Sequence, residues 1–215
     1  MKWTLTNLKN SSVTSNKFPP LVLLYGDDAG NIRQQTQQLI SQSGIDVSDP
    51  FTSDKIDVTD LIENTSRLAE ATGTISLMGG QRLIWLQGLN GDLPKNQMDI
   101  VVNAIKNILS SELKDVLILI PAPHVGKDAA LVKAVEKHKT AAAVRLFQDN
   151  ARDMSTYVKD VLKTEGKTLT PEAQALLLEN LGADREITQR ELEKISIYVG
   201  EADKITAEDV VACLA

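Results

Sequence analysis

Leu21-Val22-Leu23-Leu24-Tyr25-Gly26-Asp27-Asp28-Ala29-Gly30-Asn31-Ile32-Arg33 decides how this 215-residue chain is read. Its first five residues are an unbroken apolar run, as expected of a strand covered on both faces of a sheet. Gly26 and Gly30 then allow a tight turn, and Asn31–Gln42 is compatible with a helix. In a parallel sheet the turn after a strand lies at the carboxyl end, where ligands bind. The residues in this turn therefore bear on function as well as on fold.

Four further apolar runs follow: Phe51–Asp57, Arg82–Leu86, Val116–Ile120 and Ala142–Phe147. Helix-compatible stretches separate them at Asp60–Thr72, Asn96–Leu109 and Lys127–Lys137. Strand–helix alternation of this kind predicts a mostly parallel α/β sheet. Around Lys55-Ile56-Asp57-Val58 polar and apolar residues alternate, which places the second run near an edge. After Asp149-Asn150 only helices are predicted. Met154, Tyr157, Val158, Val161 and Leu162 form one apolar stripe. Thr170-Pro171-Glu172 reads as a helix start, and Thr206-Ala207-Glu208-Asp209 as a capping box. The expected organisation is an α/β domain over residues 1–149 followed by a small all-helical domain over 150–215.

The turn lacks what phosphate chemistry needs. A phosphate-binding loop uses a lysine to reach the β and γ phosphates and a neighbouring hydroxyl to hold magnesium. At the matching point this chain has Asn31-Ile32, and it sets Asp27 and Asp28 where phosphate oxygens would sit. Like charges there repel. Gly26, Asp27, Asp28, Gly30 and Asn31 are therefore read as a structural turn, with Asp27 or Asp28 capping the next helix. A magnesium site built on the acidic pair fits poorly, because Asp57 and Lys127 fall at the wrong elements for it.

Composition narrows the classes further. A net charge of −6 and a pI near 5.0 argue against a dedicated nucleic-acid-binding domain. The only cysteine, Cys213, excludes an internal disulfide and a cysteine-rich zinc site. His124 and His138 stand in no nucleophilic or metal-binding pattern, so no catalytic residue, metal or cofactor is expected. No stretch is long and apolar enough for a membrane span, and Met1–Asn10 does not resemble a signal peptide. A cytoplasmic protein is expected.

Thr74-Ile75-Ser76-Leu77-Met78-Gly79-Gly80-Gln81-Arg82 stands apart, because it places apolar residues in a connection and follows them with glycines. Leu77 and Met78 either close the core or project as a plug for a pocket on a partner, with Gly79-Gly80 presenting them.

Several segments, in order, resemble the delta subunit family of the bacterial DNA polymerase III clamp loader. Leu21–Asp28 is similar to that family's first strand and non-functional P-loop, and Ser76–Ile84 to its serine–leucine–phenylalanine–glycine segment leading into a strand. Tyr157-Val158 stands where an aromatic–aliphatic pair opens the family's second domain, and Glu191–Tyr198 resembles its Glu-Leu-Glu-Lys-Leu run with a following tyrosine. The resemblance implies an AAA+-like α/β domain without a functional P-loop, followed by a helical lid. It also implies a non-catalytic subunit of the DNA polymerase III holoenzyme, a transferase, which binds and opens the ring-shaped sliding clamp (beta) during DNA replication. Carried over, the clamp-binding residues are Leu77 and Met78 with Ser76 and Gly79; methionine replaces phenylalanine and keeps the apolar bulk. The other implied partners are the delta-prime and tau/gamma subunits, with DNA met only indirectly. The family's third domain, a helical collar, is expected to begin where this sequence stops at Ala215, so the chain is expected to lack it. The alternative is an active AAA+-type ATPase or another nucleotide-dependent enzyme. The missing Lys-Ser/Thr pair speaks against it, and magnesium-dependent ATP binding discriminates the two.

Overall fold

Every residue of the strand Leu21–Gly26 is buried, because alternate side chains feed two separate cores. Leu21, Leu23 and Tyr25 join Ile105 and Val132 on one face of the sheet, while Val22 and Leu24 join Ile32 and Leu39 on the other. A computed structural model describes residues 2–4, 7–8, 18–73, 81–147, 151–181 and 185–214 of this chain. It divides into two compact units, Met1–Phe147 and Gln148–Ala215.

In the first unit the described elements run β1 (Lys2–Trp3), β2 (Leu21–Gly26), α1 (Ala29–Ser43), β3 (Ser53–Asp57), α2 (Val58–Glu63) and α3 (Arg67–Gly73). They continue with β4 (Arg82–Gln87), α4 (Lys95–Leu109), β5 (Val116–Pro123), α5 (Ala130–Lys137) and β6 (Ala141–Leu146). Among the described residues the strands form one sheet, ordered β1-β6-β2-β5-β4-β3, and every pairing is parallel. Helix α1 supplies one core, and α2 to α5 supply the other. β3 lies at the edge, as its alternating pattern predicts.

Three boundaries depart from the sequence reading. The second run starts at Ser53 rather than Phe51, whose side chain is 64% exposed. The expected helix Asp60–Thr72 is two helices. Asn64 leaves helical geometry (φ −122°, ψ 94°), and its side-chain oxygen accepts from the Ser66 N–H at 3.1 Å. Asn thus caps a turn instead of continuing a helix. The strand expected at Val116–Ile120 extends through Pro121 to Pro123. Pairing of β5 with β4 stops at Leu119 while pairing with β2 continues, so the missing proline N–H groups fall where β4 no longer needs a donor.

The second unit contains α6 (Ala151–Thr164), β7 (Thr168–Leu169), α7 (Pro171–Leu181), α8 (Arg185–Val199), β8 (Lys204–Ile205) and α9 (Ala207–Leu214). Val158, Leu162, Leu177, Leu192, Ile195 and Val210 fill its core. Thr170 Oγ1 accepts from the Ala173 N–H at 3.1 Å, forming the cap that the sequence predicts. Asp209 reaches back to the Thr206 N–H at 2.8 Å, completing the capping box. The exception to an all-helical reading is the short parallel pairing of β7 with β8. It ties the ends of the α6–α7 and α8–α9 connections together.

Candidate functional site

The carboxyl end of β2 is the first place to look for chemistry in a parallel sheet. Only Asp27 and Asp28 separate β2 from α1. Gly26 has φ +143°, and a Cβ there would lie 1.9 Å from the Leu146 carbonyl oxygen, so the end of β6 presses on this backbone. The Gly26 carbonyl accepts from the His124 N–H at 2.7 Å. The turn is thus held from two sides and has no room to widen into a cradle.

Its electrostatics are those of an occupied anion site. Asp28 is the N-cap of α1, and its carboxylate accepts from the Asn31 N–H at 2.8 Å. An exogenous phosphate would need those same helix-terminal donors. Asp28 is buried, whereas Asp27 is exposed, so Asp28 and not Asp27 is the capping residue. Asn31 follows Gly30 where a lysine would be needed. It is buried, and its Oδ1, like the Oε1 of Gln35 one turn on, lacks a hydrogen-bond partner. The helix start presents acceptor oxygens and a carboxylate, and position 31 carries no cation.

The other candidate acids are also caps. Asp57, at the end of β3, accepts from the Thr59 N–H at 2.9 Å and from its hydroxyl at 2.7 Å. Those two bonds hold its carboxyl below the usual range. Among the described residues no group of three or more His, Cys, Asp or Glu could hold a metal. His124 is an exposed loop residue with φ +58°, and the His138 ring lies 3.0 Å from the Thr140 hydroxyl at the end of α5. Among the described residues no helix is long and apolar enough to cross a membrane.

Ser76, Leu77, Met78 and Gly79 lie outside the described residues. The flank that follows them is pinned to the amino end of the sheet. The Arg82 N–H donates to the Asp115 carbonyl at 2.8 Å, and Gln81 Nε2 donates to the Val116 carbonyl at 3.1 Å. On the preceding side, Arg67 of α3 grips both carboxylate oxygens of Asp54, at 2.7 and 2.9 Å. The buried Arg82 guanidinium lies 3.9 Å from the same carboxylate. Asp54 therefore joins the helix before the segment to the strand after it. The sequence reading missed this cluster, because its members are distant in the chain and follow no motif.

Comparisons with known proteins agree with this architecture. The family model for DNA polymerase III, delta subunit, matches residues 22–145, more than half of the chain. The DNA polymerase III subunit delta of Bacillus subtilis (strain 168) is 27% identical over 206 residues, covering 93% of this chain and 58% of that protein. The solved Bacillus subtilis DNA clamp loader delta protein superposes with a TM-score of 0.58 at 23% identity, over 94% of this chain and 60% of that one. The Thermotoga maritima RuvB Holliday junction branch migration motor gives a TM-score of 0.61 at 11% identity, over 96% of this chain and 64% of that one. At such identities the structural likenesses concern the fold, which is of the AAA+ P-loop type. This chain spans about three fifths of the length of these relatives. With the ordered sequence segments and the sheet topology, the family match leads to one assignment: the chain belongs to the DNA polymerase III delta subunit family.

Proposed function

We propose that this chain binds and opens a sliding clamp as the non-catalytic delta part of a DNA polymerase III clamp loader. The family match carries the reading. The closed β2–α1 turn supports the absence of ATP chemistry in this subunit, because Asp28 already fills the helix terminus and Asn31 supplies no cation. Leu77 and Met78 are the proposed plug, with Ser76 and Gly79 framing it, and Asp54 and Arg82 anchor its flanks. Burying two apolar side chains in a clamp pocket contributes roughly 3–6 kcal/mol, or about two to four decades of affinity. The clamp opens if its bound edge fits an open curvature better than a closed one, because only differential binding moves that equilibrium. ATP bound by sister subunits of the tau/gamma type would control exposure of the plug. Delta-prime would complete the loader, DNA would be met through the assembly, and the setting is the bacterial cytoplasm.

The test is binding to the cognate sliding clamp, with wild type beside a Leu77→Ala/Met78→Ala double variant and circular dichroism as the folding control. The expected result is wild-type binding and a loss of about a hundredfold or more in the variant. Equal binding by a folded variant overturns the plug assignment. The fold shared with the RuvB motor favours a second reading, an active ATPase. Magnesium-dependent ATP hydrolysis by the purified chain would support it.

A further inference from the structure

The other side of β2 ends very differently. A cavity of about 740 Å³ opens at the carboxyl ends of β2 and β6, beside α5. Tyr25 and Arg145 are register partners on adjacent parallel strands, so their side chains stand next to each other on one face. Tyr25 is 4% exposed yet lines the cavity. Burial and then Glu136 push its phenol above the ordinary value, with Arg145 opposing, so it is a protonated donor at neutral pH. The Arg145 guanidinium lies 4.6 Å from the Phe147 ring centroid, and Phe147 is 64% exposed. Trp3 borders the cavity from the edge strand β1, while its ring packs against the core on the α1 side of the sheet and its indole Nε1 is buried without a hydrogen-bond partner.

The charges on the lining differ from those of the whole chain. Lys127, Lys133 and Arg145 oppose Asp128 and Glu136. Three cations against two carboxylates leave a positive excess in a protein of net charge −6. Aromatic faces beside cations are the combination that holds a base by stacking and its phosphate by charge. The size lies within the range of small-ligand pockets. A duplex, with dense charge along its length, gains little from so local an excess and is repelled by the rest of the surface.

We infer that this cavity binds a single nucleotide unit, its base against Phe147 and Tyr25 and its phosphate near Arg145, Lys127 and Lys133. Two sources share that chemistry: a free nucleotide, and one residue of a single strand. Neither requires magnesium or the β2–α1 turn, and the inference is independent of the clamp-binding reading.

The experiment titrates the full 215-residue chain with three probes, ATP in the presence of EDTA, a short labelled oligothymidylate and a duplex of the same length. Intrinsic Trp and Tyr fluorescence and probe anisotropy are recorded. Saturable binding of ATP alone assigns a free nucleotide, and saturable binding of the oligothymidylate assigns a single strand. In either case Phe147→Ala and Arg145→Ala each weaken binding about tenfold or more, while thermal melts report folding. Should Arg145→Ala fail to fold, Phe147→Ala with Lys133→Glu carries the test, since both positions are exposed. No binding of either probe up to millimolar concentration, duplex binding as tight as the single strand, or variants that bind like wild type each overturn the inference. Clamp binding measured on Phe147→Ala is expected to be unchanged, so failure here and failure of the clamp reading are separate results.

Discussion

On the α1 side of the sheet β2 ends in a closed turn, and on the α5 side it ends beside an open cavity. The two regions share a strand and lie a few residues apart, yet their physics is opposite. In the turn, backbone from β6 presses on Gly26, and a carboxylate occupies the helix terminus by accepting from the Asn31 N–H. In the cavity a buried phenol, an exposed aromatic ring and an excess of cations face open space. The carboxyl end of a parallel strand is therefore a place where a site is possible. Loop length and the sign of the local charge decide whether one exists.

Substitutions separate the two regions. Gly26→Ala has the largest expected effect, because it adds a Cβ at 1.9 Å from a carbonyl oxygen on a backbone at φ +143°. A loss of about 3 kcal/mol or more is expected in denaturant unfolding, and a variant as stable as wild type would break the account of the turn as closed. Asp28→Ala removes the cap of α1 and is expected to cost about 1 kcal/mol. Asp28→Asn keeps an acceptor and should cost less, which distinguishes capping from charge. Across the strand, Phe147→Ala should change stability by no more than about 0.5 kcal/mol, as for most exposed positions. A larger loss would make the cavity wall part of the core and erase the contrast.

Exposed carboxylates sharpen the comparison from the solvent side. Asp57 caps its helix as Asp28 does, Asp209 reaches back from the first turn to the Thr206 cap, and hydrogen bonds from Thr59 and Thr206 hold both carboxyls below the usual range. A depressed folded pKa makes the stabilising contribution fully present above the ordinary carboxylate value, and it is lost as pH falls through the depressed one. Stability followed by circular dichroism should thus decline on the acid side, and Asp57→Asn with Asp209→Asn should flatten that decline slightly. Screening by water keeps the effect small. An unchanged acid profile would show that these caps add nothing measurable.

Much of the fold was legible because it rests on local pattern. Continuous apolar runs marked the buried strands, the alternation at Lys55–Val58 marked the edge strand, and Thr170 and Thr206 announced the helices they cap. The break at Asn64 was missed because an apolar stripe survives a short interruption, while the side-chain bond that ends the helix leaves no periodic trace. The Pro121–Pro123 extension of β5 was missed because a proline looks like a strand terminator until the neighbouring strand is known to have ended first. Of the candidate residues, the absence of a lysine at Asn31 was plain in the sequence, whereas the choice of Asp28 over Asp27 as the cap needed coordinates.

By itself the sequence pointed to an α/β unit followed by an all-helical one, to a first turn without the cation of a phosphate loop, and to ordered segments that resemble one family. These are properties of residue type and spacing, which act over a few positions along the chain. Only the tertiary structure decided the rest. It pressed the end of β6 against Gly26, set Arg67 and Arg82 on the one carboxylate of Asp54, and aligned Tyr25 with Arg145 beneath α5. Each of those contacts joins residues far apart in the chain, and strand order and register, not local propensity, bring them together.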